Sequence, residues 1–177
     1  WTLIMSFSLN HENMDEFNKK TLTDDAPVNE RSPNWHLYRI STSQMNHMKS
    51  QSSHWRVTCS FPTHGVDYTD YVRAEFEHFD VMTFTGHGVC KKVEYVNIRG
   101  HHCVQCTTKW WQIAQKSFYM RASPPHMDTS KGGCQFKPSK GAVSDEGNFG
   151  YYNKINKKFR CTAGPNSTTN WWFGGYM

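Results

Sequence analysis

His54-Trp55-Arg56-Val57-Thr58-Cys59-Ser60-Phe61 is the stretch whose reading decides the fold. Trp55, Val57, Cys59 and Phe61 are apolar, and the residues between them are mostly polar. A period of two puts alternate side chains on opposite faces of an extended backbone, which predicts a half-buried strand. A loop with Pro62, Gly65 and two aspartates follows. Alternation resumes from Tyr71 to Thr85, with Val72, Ala74, Phe76, Met82 and Phe84 on one parity. Arg73, Glu75, Glu77, Thr83 and Thr85 take the other. His78 and Asp80 interrupt the apolar face, so a bend or bulge is expected there. Two long strands, edge to edge, form the expected centre.

Working outward, Leu3, Met5, Phe7 and Leu9 alternate with serines and predict a first strand. Asn10 is placed to cap a short helix running through Asn13 to Lys20, acids early and lysines late, as the helix dipole favours. Residues 21–53 are polar and broken by Pro27 and Pro33, an irregular segment with one short strand near Trp35–Ile40. After a turn at Gly86-His87-Gly88, strands are expected at Val93–Ile98, within Trp110–Met120, and from Tyr151 to Cys161. Residues at about 122–150, rich in Gly, Pro, Ser and Lys, read as an extended loop. Aromatic residues are plentiful, whereas Leu3, Leu9, Leu22 and Leu37 are the only leucines, which favours strands over helices. The expectation is an all-β chain, residues 1–177 as one domain. It takes the form of an eight-stranded jelly-roll β-sandwich with long loops and at most one or two short helices.

The net charge is +5, and its placement is uneven. Residues 1–100 hold ten Lys/Arg against twelve Asp/Glu, a balance of −2, and residues 101–177 hold ten against three, a balance of +7. A basic last third suits an acidic partner such as nucleic acid or anionic lipid; its bland reading is a solvated face. Lys154, Lys157, Lys158 and Arg160 form the densest basic cluster. On an alternating strand only half of them would face the same way. No stretch approaches the roughly 18 consecutive apolar residues of a membrane span. The chain opens on Trp1 without a basic-then-apolar leader, and reads as a processed or partial product.

Six cysteines raise a metal reading. Cys103 and Cys106 form a CxxC preceded by His101 and His102, which would supply the N/S ligands that zinc takes. No second CxxC completes the pattern, so buried free thiols are the default and no cofactor is expected. Disulfides would require an oxidising compartment. His64 and His87, each beside a glycine, read as turn histidines. No nucleophile elbow, phosphate-binding glycine loop or HExxH is present, and no catalytic residue is assigned: the chain is not expected to be an enzyme. Asn166-Ser167-Thr168 is a glycosylation sequon, relevant if the chain is secreted. Trp171, Trp172 and Phe173 form an end too apolar to lie free in water, and are read as packing on the core or on a neighbouring subunit.

One resemblance is more specific. Trp55-Arg56-Val57-Thr58, then Arg73, Glu75 and Phe76, then Phe79-Asp80-Val81-Met82-Thr83-Phe84, stand in the order of motifs in the largest capsid protein of picornaviruses and their relatives. Phe118 to Pro125, ending in Pro124-Pro125, resembles that family's strand into Pro-Pro-Gly, with His126 where the glycine usually stands. The likeness covers about residues 54–126, and the last third has no counterpart. It implies a structural capsid subunit of a small icosahedral RNA virus, a jelly roll assembled in the host cytoplasm into the virion. Its partners would be other capsid subunits, genomic RNA bound without sequence preference through Lys154, Lys157, Lys158 and Arg160, and a host receptor. Two rival readings need no such resemblance. A lipocalin-like barrel would line an apolar pocket with the aromatic residues. A secreted or cell-surface β-sandwich recognition domain would have its cysteines paired and Asn166 glycosylated.

Overall fold

A computed structural model describes residues 1–114, 122–129, 132–137 and 149–175 of the chain. The strands are β1 (Thr2–Ser8), β2 (Leu37–Arg39), β3 (His54–Cys59), β4 (Tyr71–Glu75), β5 (Gly86–Ile98), β6 (His101–Ile113), β7 (Ser123–Met127) and β8 (Thr168–Gly174). They lie in one curled antiparallel sheet in the order β2-β1-β8-β3-β4-β5-β6-β7. The all-β expectation holds at this level. The carboxy-terminal strand is therefore central: β8 pairs with β1 on one side and β3 on the other.

The sheet is covered on both faces around β3 and β8. One face holds Trp55, Val57, Trp171 and Phe173, which the register places in facing pairs (Trp55 with Phe173, Val57 with Trp171). The Trp55 ring stacks on Trp171 at 5.7 Å and meets Trp110 of β6 edge-on at 5.3 Å. Phe79 packs at 5.3 Å from Trp55. The other face holds Arg56, Thr58, Asn170 and Trp172. The Arg56 guanidinium lies between the Trp1 and Trp172 rings, while Trp35 and Phe61 pack on Trp172. Burial on both faces is why every residue from Thr168 to Phe173 is buried, and why this strand reads as a continuous run without alternation.

Several boundaries differ from the sequence expectation. Tyr71–Thr85 is not one strand: β4 stops at Glu75, and the chain turns. The carbonyls beyond it find side chains in place of a neighbouring strand. Trp55 Nε1 donates to Phe79 O, and buried Gln112 donates to both Val81 O and Phe84 O. Gly86-His87-Gly88 is no turn but the start of thirteen-residue β5, which pairs with β6 along its length. The turn lies at Arg99-Gly100, with φ of 55° and 88°. Two consecutive positive φ values are the two-residue turn that suits the twist of antiparallel strands, and they favour glycine. Residues 21–53 contain helix α2 (Thr42–Ser50), begun by Ser41, whose hydroxyl accepts the Gln44 N–H at 3.3 Å. With α1 (Asp15–Asn18) and α3 (Phe61–His64), the described residues hold three short α-helices, more than expected. Tyr151–Cys161 is turns, not a strand: Phe159 N donates to Asn156 O and Thr162 N to Phe159 O. The segment at about 122–150 contains β7. The Phe118–Arg121 part of the capsid-like motif, and residues 138–148 of the expected loop, lie outside the described residues.

Candidate functional site

Three segments far apart in sequence meet at the buried carboxylate of Asp70. Its Oδ1 accepts the Arg99 N–H at 2.7 Å, and its Oδ2 accepts the Arg160 N–H at 3.0 Å. The first bond holds the β5–β6 turn, the second the loop before β8. Burial pushes the Asp70 carboxyl above its ordinary range, against the opposing pull of the two N–H groups and of the Arg160 and Arg99 charges. Asp70 itself sits at φ 49°, a left-handed conformation that costs energy for a residue with a Cβ and is held by these bonds.

The loop carrying the basic cluster is anchored in two further ways. Phe159 is fully buried, packing edge-on to Phe149 at 5.4 Å. Cys161 is joined to Cys59 at the end of β3. With Phe159 turned inward, Lys157 and Lys158 stay exposed. Arg160 reaches sideways, its Nη1 donating to Asp67 Oδ1 at 2.7 Å. That hydrogen bond holds the Asp67 carboxyl below its ordinary range.

The result is an open cleft of about 530 Å³ lined by Thr69, Asp70, Arg99, His101, Lys157, Lys158 and Arg160. Five of those seven side chains are cationic or can become so. One carboxylate, Asp70, is consumed by backbone N–H groups. Arg99 Nη1 is buried with no hydrogen-bond acceptor among the described residues. A buried guanidinium N–H lacking an acceptor is costly. The arrangement can hold a phosphate, sulfate or carboxylate group without reading the rest of its bearer.

The sequence cluster is thus split. Lys157, Lys158 and Arg160 line this cleft, whereas Lys154 lines a different one with Leu9, Asn10 and Tyr152. Sequence reasoning misses Arg99 and His101 as partners of the cluster. They sit at the tip of the β5–β6 hairpin, far from Lys157 and Arg160 along the chain, and only the fold brings them together. The Arg99-Gly100 turn is the available signal, since a two-residue turn projects its flanking side chains from the end of a hairpin.

The other sequence candidates fall elsewhere. All six cysteines are paired: Cys59 with Cys161, Cys90 with Cys134, and Cys103 with Cys106. The expectation of free thiols is therefore corrected. Cys103 and Cys106 have no thiolate to offer zinc in this state, because zinc binds the deprotonated thiol and not the disulfide. His101 belongs to the basic cleft, and His102 stacks on Tyr95 at 6.4 Å. His87 lies in β5 with its ring edge-on to Trp111. Asn166 is exposed, as a glycosylated asparagine must be, and its Oδ1 accepts from Asn10. Trp171, Trp172 and Phe173 are buried within the chain itself, so packing on the core accounts for them and little of their surface is left for a neighbouring subunit. No helix among the described residues is long and apolar enough to cross a membrane.

No protein-family model matches the chain, and searches of curated proteins and of solved structures find no significant match.

Proposed function

We propose that this chain is a secreted or cell-surface β-domain that recognises an anionic group through the cleft of Arg99, His101, Lys157, Lys158 and Arg160. The observation that carries the reading is the convergence of these five side chains on one cleft, with its floor fixed by Asp70 and its loop tied down by Cys59–Cys161. Three disulfides favour an oxidising compartment, where such pairs persist. The exposed sequon at Asn166 suits the same route. The role is binding and not catalysis.

A lipocalin-like pocket is less well supported. The rings that would line it, Trp55, Trp110, Trp171 and Phe79, pack on one another at 5.2–6.4 Å. The insertion of β8 between β1 and β3 also departs from a simple up-and-down strand order. The capsid reading keeps one observation in its favour, the exposed Lys157 and Lys158, which suit phosphates of packaged RNA. It would take the eight strands as a jelly roll, with other subunits, genomic RNA and a host receptor as partners. Paired cysteines count against assembly in a reducing cytoplasm.

The test is binding of the oxidised protein to immobilised heparin and to single-stranded RNA across a salt series, alongside its native mass. The expected result is salt-dependent heparin binding by a species near 20.6 kDa or a small multiple of it. In the Lys157→Ala/Lys158→Ala variant the salt slope should fall by about 2, one for each contact removed. A megadalton particle that prefers RNA would overturn this reading in favour of the capsid. Binding unchanged in the double variant would remove the cleft from it.

A further inference from the structure

A second polar cluster lies where β3, β4 and β5 run side by side. His54 opens β3, Glu75 closes β4, and the register pairs them directly. Glu94 comes from β5. His54 Nε2 is 2.6 Å from Glu94 Oε2 and 3.9 Å from Glu75 Oε1. One ligand atom from each of the three residues lies within 4.8 Å of the others. The side chains are partly shielded, at 13% exposure for His54, 19% for Glu94 and 32% for Glu75.

We propose that His54, Glu75 and Glu94 form a binding site for a divalent transition-metal ion of the zinc class. His54 Nδ1 is 2.6 Å from Ser53 Oγ. Glu94 Oε1 accepts from Arg73 Nε and lies 2.8 Å from Arg73 Nη2. Glu75 Oε2 lies 3.2 Å from His78 Nε2. Each outward atom is thus held by a partner, and the three remaining atoms, Nε2, Oε2 and Oε1, face one another. This is the outer-shell pattern that orients ligands around a metal.

The spacing fits. Zinc bonds nitrogen and oxygen at about 2.0–2.2 Å, so tetrahedral neighbours stand about 3.4 Å apart. On that spacing Glu75 would close by a fraction of an ångström and Glu94 would open by a similar amount. Metal binding at Nε2 would require the imidazole tautomer that carries its proton on Nδ1. Ser53 Oγ would then accept a hydrogen bond from Nδ1–H, and the Nε2 lone pair would bind the metal. Two carboxylates against the single Arg73 guanidinium leave one negative charge for the cation. Gly175 permits the orienting contact: at φ 122° it lies so close that a Cβ there would collide with Ser53 Oγ and meet His54 Nδ1 at 2.7 Å. The ion would enter through an open cleft lined by Ser52, Ser53, Phe76 and Glu77, which leaves room for a water as a further ligand.

The experiment is calorimetric titration of the disulfide-intact full chain with Zn2+, with Co2+ as a spectroscopic probe. One Zn2+ per chain is expected, and a visible Co2+ band of the kind tetrahedral sites give. Glu75→Gln and His54→Gln should each weaken binding by more than tenfold, and Ser53→Ala by about tenfold, the usual effect of losing an outer-shell partner. Glu75 is the most exposed of the three ligands, so its variant serves if His54→Gln fails to fold; near-UV circular dichroism of the tryptophan core monitors this. A His101→Gln variant, outside the cluster, should bind as the parent does. Absence of stoichiometric Zn2+ binding, or binding of full strength in folded Glu75→Gln, overturns the site. So does binding lost only in His101→Gln.

Discussion

The Asp70 carboxylate accepts the backbone N–H of Arg160 at 3.0 Å across 90 positions of sequence. Through its other oxygen it also holds the Arg99 N–H. Asp70→Ala would leave two N–H groups without their acceptors, and each buried unsatisfied donor costs about 1–3 kcal/mol. We expect a loss of roughly 3 kcal/mol, together with weaker heparin binding because the loop bearing Lys157 and Lys158 is released. Urea denaturation and the same binding assay check this. The pH dependence has a definite sign. Burial raises the carboxyl above its ordinary 3.8, so the folded state holds its proton to a higher pH than the unfolded chain does. This contribution is fully present below 3.8 and is lost as pH rises through the raised value. The cost of Asp70→Asn should therefore be larger near pH 3 than near pH 7, on the same linkage. A cost independent of pH would show that the carboxyl is not perturbed.

The Cys59–Cys161 bridge closes a separation of 102 residues, whereas Cys103–Cys106 closes one of 3. On the chain-entropy account the first restricts the unfolded state by about 4–5 kcal/mol and the second by about 2 kcal/mol. Cys59→Ala/Cys161→Ala should lower the melting temperature by roughly 10 °C, at about 2–4 °C per kcal/mol for a chain of this size. Cys103→Ala/Cys106→Ala should lower it by less than half as much. Thermal melts of the two double variants decide, and equal losses would argue against loop closure as the cause.

Local periodicity made β1, β2 and β3 legible, because their side chains alternate or sit between clear breakers. Alternation also marked β4 and the Val93–Ile98 end of β5, and the apolar run from Trp110 marked the end of β6; the remainder of the sheet was hidden for identifiable reasons. In β6 the half nearest the Arg99-Gly100 turn is mostly exposed, so only Cys106, Thr108, Trp110 and Gln112 mark its inner face, and two of these are polar. In β8 both faces are buried, which erases alternation. From Phe76 to Phe84 the apolar residues pack from turns, and their carbonyls are satisfied by Trp55 and Gln112, side chains distant in sequence. The basic cluster was legible as composition. Its partners Arg99 and His101 were not, since only tertiary pairing brings them to the cleft.

Asn170 illustrates the same limit and supports a sharp test. It is fully buried, and its Oδ1 accepts from Thr58 Oγ1 and Phe61 N, both at 3.0 Å. Its Nδ2 donates to Ser6 Oγ at 2.8 Å and Thr168 Oγ1 at 3.1 Å. One amide thus links β1, β3 and β8 at the centre of the sheet. Asn170→Leu would keep the branched shape, with somewhat more bulk, while removing four bonds, leaving the Phe61 N–H and two or more hydroxyls to find new partners. A loss of about 3–5 kcal/mol is expected. Thr58→Val, which breaks the bonds from Trp172 Nε1 and to Asn170, should cost about 1–3 kcal/mol. A double-mutant cycle should show the two losses to be less than additive, since they share a bond.

Tyr152 sets the behaviour of the fold at high pH. Its hydroxyl is buried, shares a hydrogen bond with Thr169 Oγ1 at 2.8 Å, and accepts the Gly150 N–H at 2.9 Å. Burial pushes its pKa well above the ordinary 10.0, with the Thr169 bond opposing. Tyr38 and Tyr71 are raised as well, each chiefly by burial. An acid with a raised folded pKa keeps its proton where the unfolded chain has lost it, so stability falls as pH rises above about 10. Arg39 works in the opposite sense. Burial lowers its guanidinium to about 10, against the pull of Asp24, Glu16 and Asp25, so its contribution rises with pH above that point. Three groups against one predicts net alkaline unfolding. Tyr152→Phe should cost about 1–2 kcal/mol near pH 8, where the loss is that of its hydrogen bonds. Its cost should then shrink steadily above about pH 10, because the variant no longer carries the largest of the opposing titrations. Urea midpoints from about pH 8 to about 11 measure the difference directly, and a constant gap between parent and variant would place the alkaline limb on other groups.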